Sequence, residues 1–248
     1  MSTPIQRSSI LLFGVVAYGL FLATFLYLIA FVAGLFVPYT IDAGRAAGPL
    51  GAAVLINLAL VALFGLQHSV MARTGFKGWL HRTLPPSAER SVYVLLASAV
   101  LALLMWQWRP IPAVIWDAQS TVGQVVGWSV FGAGFAIVLL STWLIDHFEL
   151  FGLRQVWSQF GRREPQGASF ATPLFYRVVR HPLYFGFLLA FWGTPHMTVG
   201  HALFAAAMTI YIVIAIRFEE RDLVRVHGPD YERYRQQVPM LLPTGRRA

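Results

Sequence analysis

Long apolar stretches separated by short polar ones dominate this 248-residue chain. Uncharged runs at 9–37, 49–71, 91–108 and 122–145 approach or exceed the roughly 20 residues that a helix needs to cross a bilayer. Two further apolar segments, 183–193 and 199–216, lie between a polar cluster at Arg180-His181 and another at Arg217-Phe218-Glu219-Glu220-Arg221-Asp222. The 183–193 segment has 11 residues, about 16 Å as a helix and half of a ~30 Å hydrocarbon core. Either its helix begins earlier, near Phe175, or the chain turns inside the membrane. The pattern predicts an all-α polytopic membrane protein of about six segments. Its last two form a partly re-entrant helix-turn-helix hairpin, and an Arg- and Tyr-rich tail forms a cytoplasmic amphipathic cap. We read 1–248 as a single domain, with a four-helix membrane part at 1–145 and a hairpin-plus-tail part at 146–248.

Local signals refine this. Asn57, Val61, Phe64 and His68 share one face of the second helix. Trp106 and Trp108 suit an interfacial anchor pair before Arg109-Pro110-Ile111-Pro112 ends the third. A helix continuing through 146–157 would align Thr142, Asp146, Glu149 and Leu153 on one stripe.

Composition agrees with a membrane setting: 57% of residues are hydrophobic and 12% charged, against roughly 25% charged in soluble domains. The net charge of +8 would fit nucleic acid, but its distribution argues against that. Of 19 Lys and Arg, only Arg45 and Arg109 fall in one alternate set of loops. Basic loops stay cytoplasmic, so both termini are expected inside. Cysteine is absent, which excludes disulfides, thiolate metal sites and a cysteine nucleophile.

Two polar clusters carry candidate chemistry. Pro182 favours a first helical turn, so His181 falls at a helix N-terminus with Tyr184 one turn on. Arg180 adds a cation to the free amides and positive dipole end there, which suits a carboxylate-bearing ligand or simply a capped interfacial helix. Glu219, Glu220 and Asp222 put acids where a helix C-terminus favours cations. They form either a solvated salt-bridge network with Arg217 and Arg221 or a site for a cationic or hydroxyl-bearing group. Together the clusters suit a zwitterionic, amino-acid-like cofactor.

The joint pattern Arg180-His181-Pro182-Leu183-Tyr184 with Gly186, the Glu219-Glu220 pair, Gly228-Pro229-Asp230-Tyr231-Glu232-Arg233-Tyr234, Pro239 and Pro243 resembles the C-terminal signature of the isoprenylcysteine carboxyl methyltransferase-like superfamily, which includes phospholipid methyltransferases. The match covers about 175–243. The stretches 141–157 and Gln67-His68-Ser69-Val70-Met71-Ala72-Arg73 are similar to a narrower group, the bacterial methanethiol S-methyltransferases. The resemblance implies methyl transfer from S-adenosylmethionine to methanethiol in a bacterial inner membrane, giving dimethyl sulfide. On this likeness Arg180, His181, Tyr184, Gly186, Glu219, Glu220 and Tyr231 would hold the cofactor, and Ser69, Arg73, Glu149 and Arg154 would line the substrate site.

A thiol near the cysteine pKa of ~8.5 must lose its proton before attack. Asp146, His147 or His68 can take it, directly or through water. Each has an alternative part: Asp146 and His147 capping the fourth helix beside Arg154, His68 bonding a neighbouring helix, Arg73 marking topology. A metal site from His68, His147 and His181 has no supporting ligand spacing. The competing functions are methylation of a lipid or prenylated thiol or carboxylate, and a non-enzymatic membrane transport or binding protein. A nicotinamide reductase lacks its glycine fingerprint. Partners are the thiol and the bilayer, with no nucleic acid; oligomeric state is not legible.

Overall fold

The computed structural model describes residues 3–46, 48–161 and 172–244. In chain order its elements are α1 (Pro4–Ala33), α2 (Leu50–Met71), α3 (Thr74–Leu80), α4 (Pro86–Gln107), β1 (Val114–Asp117), α5 (Thr121–Ile145), α6 (His147–Leu150), α7 (Leu153–Phe160), a 3₁₀ turn (Leu174–Arg177), α8 (Pro182–Trp192), β2 (His196–Thr198), α9 (Val199–His227) and α10 (Pro229–Gln237). Five of them, α1, α2, α4, α5 and α9, are long and apolar enough to cross a membrane, and α8 is a shorter apolar helix. The all-α polytopic class read from the sequence is therefore the observed one, and the protein is a membrane protein.

The contacts divide the chain into two compact units. The first comprises 1–110 and 146–168, the second 111–145 and 169–248.

In the first unit, α1 packs on α4 and α7, and α2 packs on α4. α1 begins at Pro4, earlier than its hydropathy indicates. Thr3 and Gln6 form a reciprocal capping box, which satisfies two amides that would otherwise lack partners. α4 likewise begins at Pro86, because proline is suited to a first helical turn. Between them, part of the cytoplasmic-type loop folds as α3. Trp108 is not an interfacial anchor: it is buried, and its indole N–H donates to Ile41 O at 3.1 Å. Trp106 stays half-exposed. Asn57 is buried where the chain breaks after α4; it donates to Arg109 O at 2.8 Å and accepts from Arg109 N at 2.9 Å. A helix amide side chain thus satisfies a non-helical peptide that lipid could not.

The single helical stripe through Thr142, Asp146, Glu149 and Leu153 does not form. α5 stops at Ile145, Asp146 has φ 140° and ψ 91°, and Gly152 has φ 89°. Two left-handed-side residues cut this stretch into the short helices α6 and α7. An ideal Cβ at Gly152 would lie 3.0 Å from Ser91 N of α4, so glycine serves both the turn and the close approach. A second glycine sets the α1–α7 contact. An ideal Cβ at Gly14 would lie 2.7 Å from the Val156 side chain, and Val156 is fully buried.

In the second unit, α8 lies along α5 at a crossing of small residues. An ideal Cβ on Gly134 would meet Ala190 N at 2.5 Å, and one on Gly186 would meet Gly134 O at 2.7 Å. Backbones this close are characteristic of helix association in lipid. α8 starts at Pro182, not near Phe175, because residues Leu174–Arg177 close as a 3₁₀ turn. The link to α9 is more than a turn: β2 pairs antiparallel with β1. The 29 residues of α9 extend about 44 Å, more than a ~30 Å core, so its polar end continues past the apolar part. The predicted amphipathic tail is α10, whose Tyr231 is buried.

Candidate functional site

The second unit gathers one polar network at the junction of α8, α9 and the tail. Glu220 Oε1 accepts from Arg180 Nε at 2.7 Å and from His181 Nε2 at 3.0 Å. Arg180 Nη1 also donates to Arg235 O at 2.8 Å and Val238 O at 2.6 Å. The Arg180 and His181 amides donate to Pro239 O and Met240 O at 2.9 and 3.2 Å. Tyr184 OH donates to Glu219 Oε2 at 3.0 Å, and Tyr234 OH to Tyr176 O at 2.5 Å. His181, a residue at a helix N-terminus as its Pro182 predicts, is the N-cap of α8 but makes no side-chain cap bond.

Burial, seconded by Glu219, pushes the Tyr176 hydroxyl well above the usual phenol range. Burial and then Glu220 do the same to Tyr231. Burial moves Tyr234 up to about 12. All three stay protonated and neutral, and Tyr234 donates. The network therefore contains carboxylate acceptors and neutral hydroxyl donors, with Glu219 45% exposed at its rim. This donor set suits a polar ligand carrying amino and hydroxyl groups.

Of the residues expected to bind a cofactor, Arg180, His181, Tyr184, Glu219 and Glu220 are thus joined, and Tyr231 is buried within electrostatic reach of Glu220. Gly186 faces the α5 backbone. Tyr176 and Tyr234 were not singled out. Tyr234 lies in the tail motif, but Tyr176 joins the network through its carbonyl, which accepts from Tyr234 and which no side-chain pattern reveals.

The first unit holds the other candidates. Asp146 accepts from Glu149 N at 3.0 Å, so it caps α6, and it ion-pairs with Arg154. Glu149 lies 3.4 Å from the same guanidinium. Arg73 Nε donates to Ser69 O at 3.2 Å. His147 is buried, 2.8 Å from Tyr18 OH, with Phe148 and Phe151 around its ring. Burial lowers its pKa below the usual histidine value, with Asp146 opposing. His68 bonds Tyr93 OH at 2.7 Å and stacks on Phe64. Tyr18 and Tyr93 were missed; the available signal was a hydroxyl in an otherwise apolar helix. Among the described residues no cluster of three or more His, Cys, Asp or Glu suits a metal ion.

Comparison with known proteins then fixes the family. The chain is 52% identical over 238 residues to a methanethiol S-methyltransferase of Mycobacterium tuberculosis, covering 96% of this chain and 97% of that one. The chain belongs to the methanethiol S-methyltransferase family. The family's protein from Crocosphaera subtropica is 50% identical over 239 residues, with 96% and 93% covered. Methanethiol S-methyltransferase 2 of Bradyrhizobium diazoefficiens is 51% identical over 240 residues, with 96% and 91% covered. The phospholipid methyltransferase family matches residues 122–230. No solved structure matches. Membership makes this protein a methyltransferase, which removes the reading of a non-enzymatic transport or binding protein.

Proposed function

We propose that this single-domain enzyme methylates methanethiol to dimethyl sulfide, with S-adenosylmethionine as the donor. It works in a bacterial inner membrane with both termini cytoplasmic. The observation that carries the acceptor is the near full-length identity of about half to methanethiol S-methyltransferases from three different bacteria. The loop charge distribution supports the orientation.

His181, Tyr184, Glu219, Glu220 and Tyr231 would hold the donor. The neutral tyrosines and the partly exposed Glu219 suit its amino and ribose groups, and the α8 N-terminus suits its carboxylate. When bound, it supplies an electrophilic methyl group on a sulfonium. Arg180 and Gly186 contribute by position: Arg180 ties Glu220 to the tail, and Gly186 lets α8 lie on α5.

In the first unit the protein's task is to ionise the acceptor. Only a few per cent of an ordinary thiol is thiolate at pH 7, and an apolar setting makes ionisation harder. His147, held neutral by burial, is our candidate base. Asp146 is the counter-charge for its protonated form, and Arg154 and Glu149 orient Asp146. Ser69, Arg73 and His68 line the substrate side. In-line attack makes positioning a large part of the rate.

Purified protein given S-adenosylmethionine and methanethiol should release dimethyl sulfide into the headspace. Donor binding without that product would refute the acceptor. A prenylated thiol or a phospholipid methylated in its place would make the lipid reading the correct one.

A further inference from the structure

We propose that Tyr18 is a catalytic residue, relaying the proton of the acceptor thiol to His147. The inference rests on the thiol-methylating function and on His147 as the base.

The two side chains are 129 positions apart, yet Tyr18 OH and His147 Nε2 are 2.8 Å apart, a full hydrogen bond. His147 is only 7% exposed, with the Tyr18 ring edge-on to it at 84° and Phe151 4.8 Å away. Phe21 stacks on Phe151 with centroids 3.9 Å apart. This aromatic surround favours a small apolar sulfur compound, since sulfur packs well against ring edges. Within it, the Tyr18 hydroxyl faces His147 Nε2. A relay through that hydroxyl therefore accounts for a polar atom on an otherwise apolar stretch of α1.

The counter-charge also favours this pair over the other tyrosine–histidine couple. A protonated imidazole needs a carboxylate nearby. His147 follows Asp146, whereas the charge bearing on His68 is the Arg90 guanidinium. The charged and titratable groups around His147 are Asp146 and Glu149 beside it, Arg154 of α7 paired to Asp146, Tyr18 of α1, and Arg90 of α4, whose side chain lies against Gly152.

In the step, the thiol S–H bond breaks and its proton goes to the Tyr18 oxygen as the Tyr18 O–H proton goes to His147 Nε2. The thiol sulfur keeps its electron pair, which would take the methyl group that a bound sulfonium donor supplies, the donor sulfur leaving as a neutral thioether with the electrons of the broken bond. The imidazolium then releases its proton to water.

The test compares wild type and Tyr18→Phe with methanethiol and with methaneselenol, a selenol that is ionised at neutral pH and needs no base. With the thiol, kcat should fall about 100-fold, the typical worth of a positioned proton-transfer group. Donor affinity by calorimetry and the thermal midpoint should not move. With the selenol, the variant should match wild type. The thiol deficit should also shrink as pH rises and the free thiol ionises. An equal deficit with both acceptors, or none with either, overturns the proposal. Should Tyr18→Phe fail to fold, 3-fluorotyrosine placed at position 18 carries the test. Its more acidic hydroxyl should shift the pH profile for the thiol and not for the selenol, and an unshifted profile overturns the relay. His147→Gln separates the readings: full thiol turnover in that variant removes the base and the relay together. If His147→Gln loses thiol turnover alone while Tyr18→Phe keeps it, the Tyr18 relay falls and the base stands. A wild type that makes no dimethyl sulfide overturns the function itself.

Discussion

Replacing Gly14 with alanine should damage both stability and catalysis, and a second substitution should repair both. The new Cβ would sit 2.7 Å from Val156 Cγ2, against the 3.4 Å at which ordinary contact begins. α7 must therefore yield by about 0.7 Å, the difference between those distances. Overpacking of this kind costs about 1–3 kcal/mol, offset by roughly 0.5–1 kcal/mol of helix preference for alanine over glycine. The net, about 0.5–2 kcal/mol, corresponds to a thermal midpoint lower by roughly 1–8 °C in a chain of this size. Because α7 follows α6 directly, the same displacement would open the 2.8 Å Tyr18–His147 bond beyond the ~3.2 Å reach of a hydrogen bond. Turnover should then fall as in Tyr18→Phe. Val156→Ala alone removes two buried methyl groups and leaves a cavity, about 2–3 kcal/mol. In the double variant the alanine at 14 fills that space. The two costs should be less than additive by about 2 kcal/mol, within the range seen for contacting residues, with turnover restored. The assay is thermal unfolding in detergent together with headspace product for all four proteins. Additive losses, or an unchanged Gly14→Ala protein, would refute the close-packing account.

Three further outcomes are expected. Glu220→Gln removes the counter-charge of the largely buried Arg180 and His181; it should cost about 1–3 kcal/mol of stability, since amide oxygen still accepts a hydrogen bond, and weaken donor binding at least about tenfold by calorimetry, about 1.4 kcal/mol. Gly186→Ala sets a Cβ 2.7 Å from Gly134 O and 2.9 Å from Val138 N, backbone atoms that cannot rotate away; stability should drop by about 2–3 kcal/mol, with donor affinity of the folded fraction kept. The folded chain holds His147 neutral to lower pH than the unfolded chain does, so below about 6.5 the unfolded state binds more protons. Stability from this residue is fully present above that pH and is lost as pH falls, so denaturation of His147→Gln should show a shallower acid slope than wild type, and parallel slopes would contradict it.

The apolar periodicity of the chain contained most of the fold, because a bilayer imposes length and hydropathy on every spanning helix. It did not contain the ends. The Thr3–Gln6 box and the prolines at 4, 86 and 182 decide those; the box acts through two hydrogen bonds and the prolines through a fixed φ and a missing N–H, and neither changes hydropathy. The break at Asp146 was hidden for a similar reason: nothing in a residue's identity announces a φ of 140°, which costs roughly 1–3 kcal/mol and persists when its surroundings over-determine it. Here the α6 cap and the Arg154 pair do so. The network around Glu220 was legible because its members lie in two short motifs at either end of a hairpin. Tyr18 was not, because its relation to His147 depends on a glycine and a valine brought together by tertiary packing.

The lengths of α5 and α8 differ in a way that concerns the lipid as much as the protein. α5 has 25 residues and α8 has 11, about 38 Å and 16 Å of helix lying side by side. Past the end of α8 the chain enters the β1–β2 ribbon, whose strand β1 exposes Val114, Ile115 and Trp116. A two-stranded ribbon has unpaired outer amides and carbonyls, which hydrocarbon does not tolerate. Such a ribbon fits the headgroup layer better than the hydrocarbon, and Trp116 suits that interface. Acyl-chain length should therefore be a variable of the enzyme, with short-chain lipids favouring the α5–α8 crossing and long-chain lipids straining it.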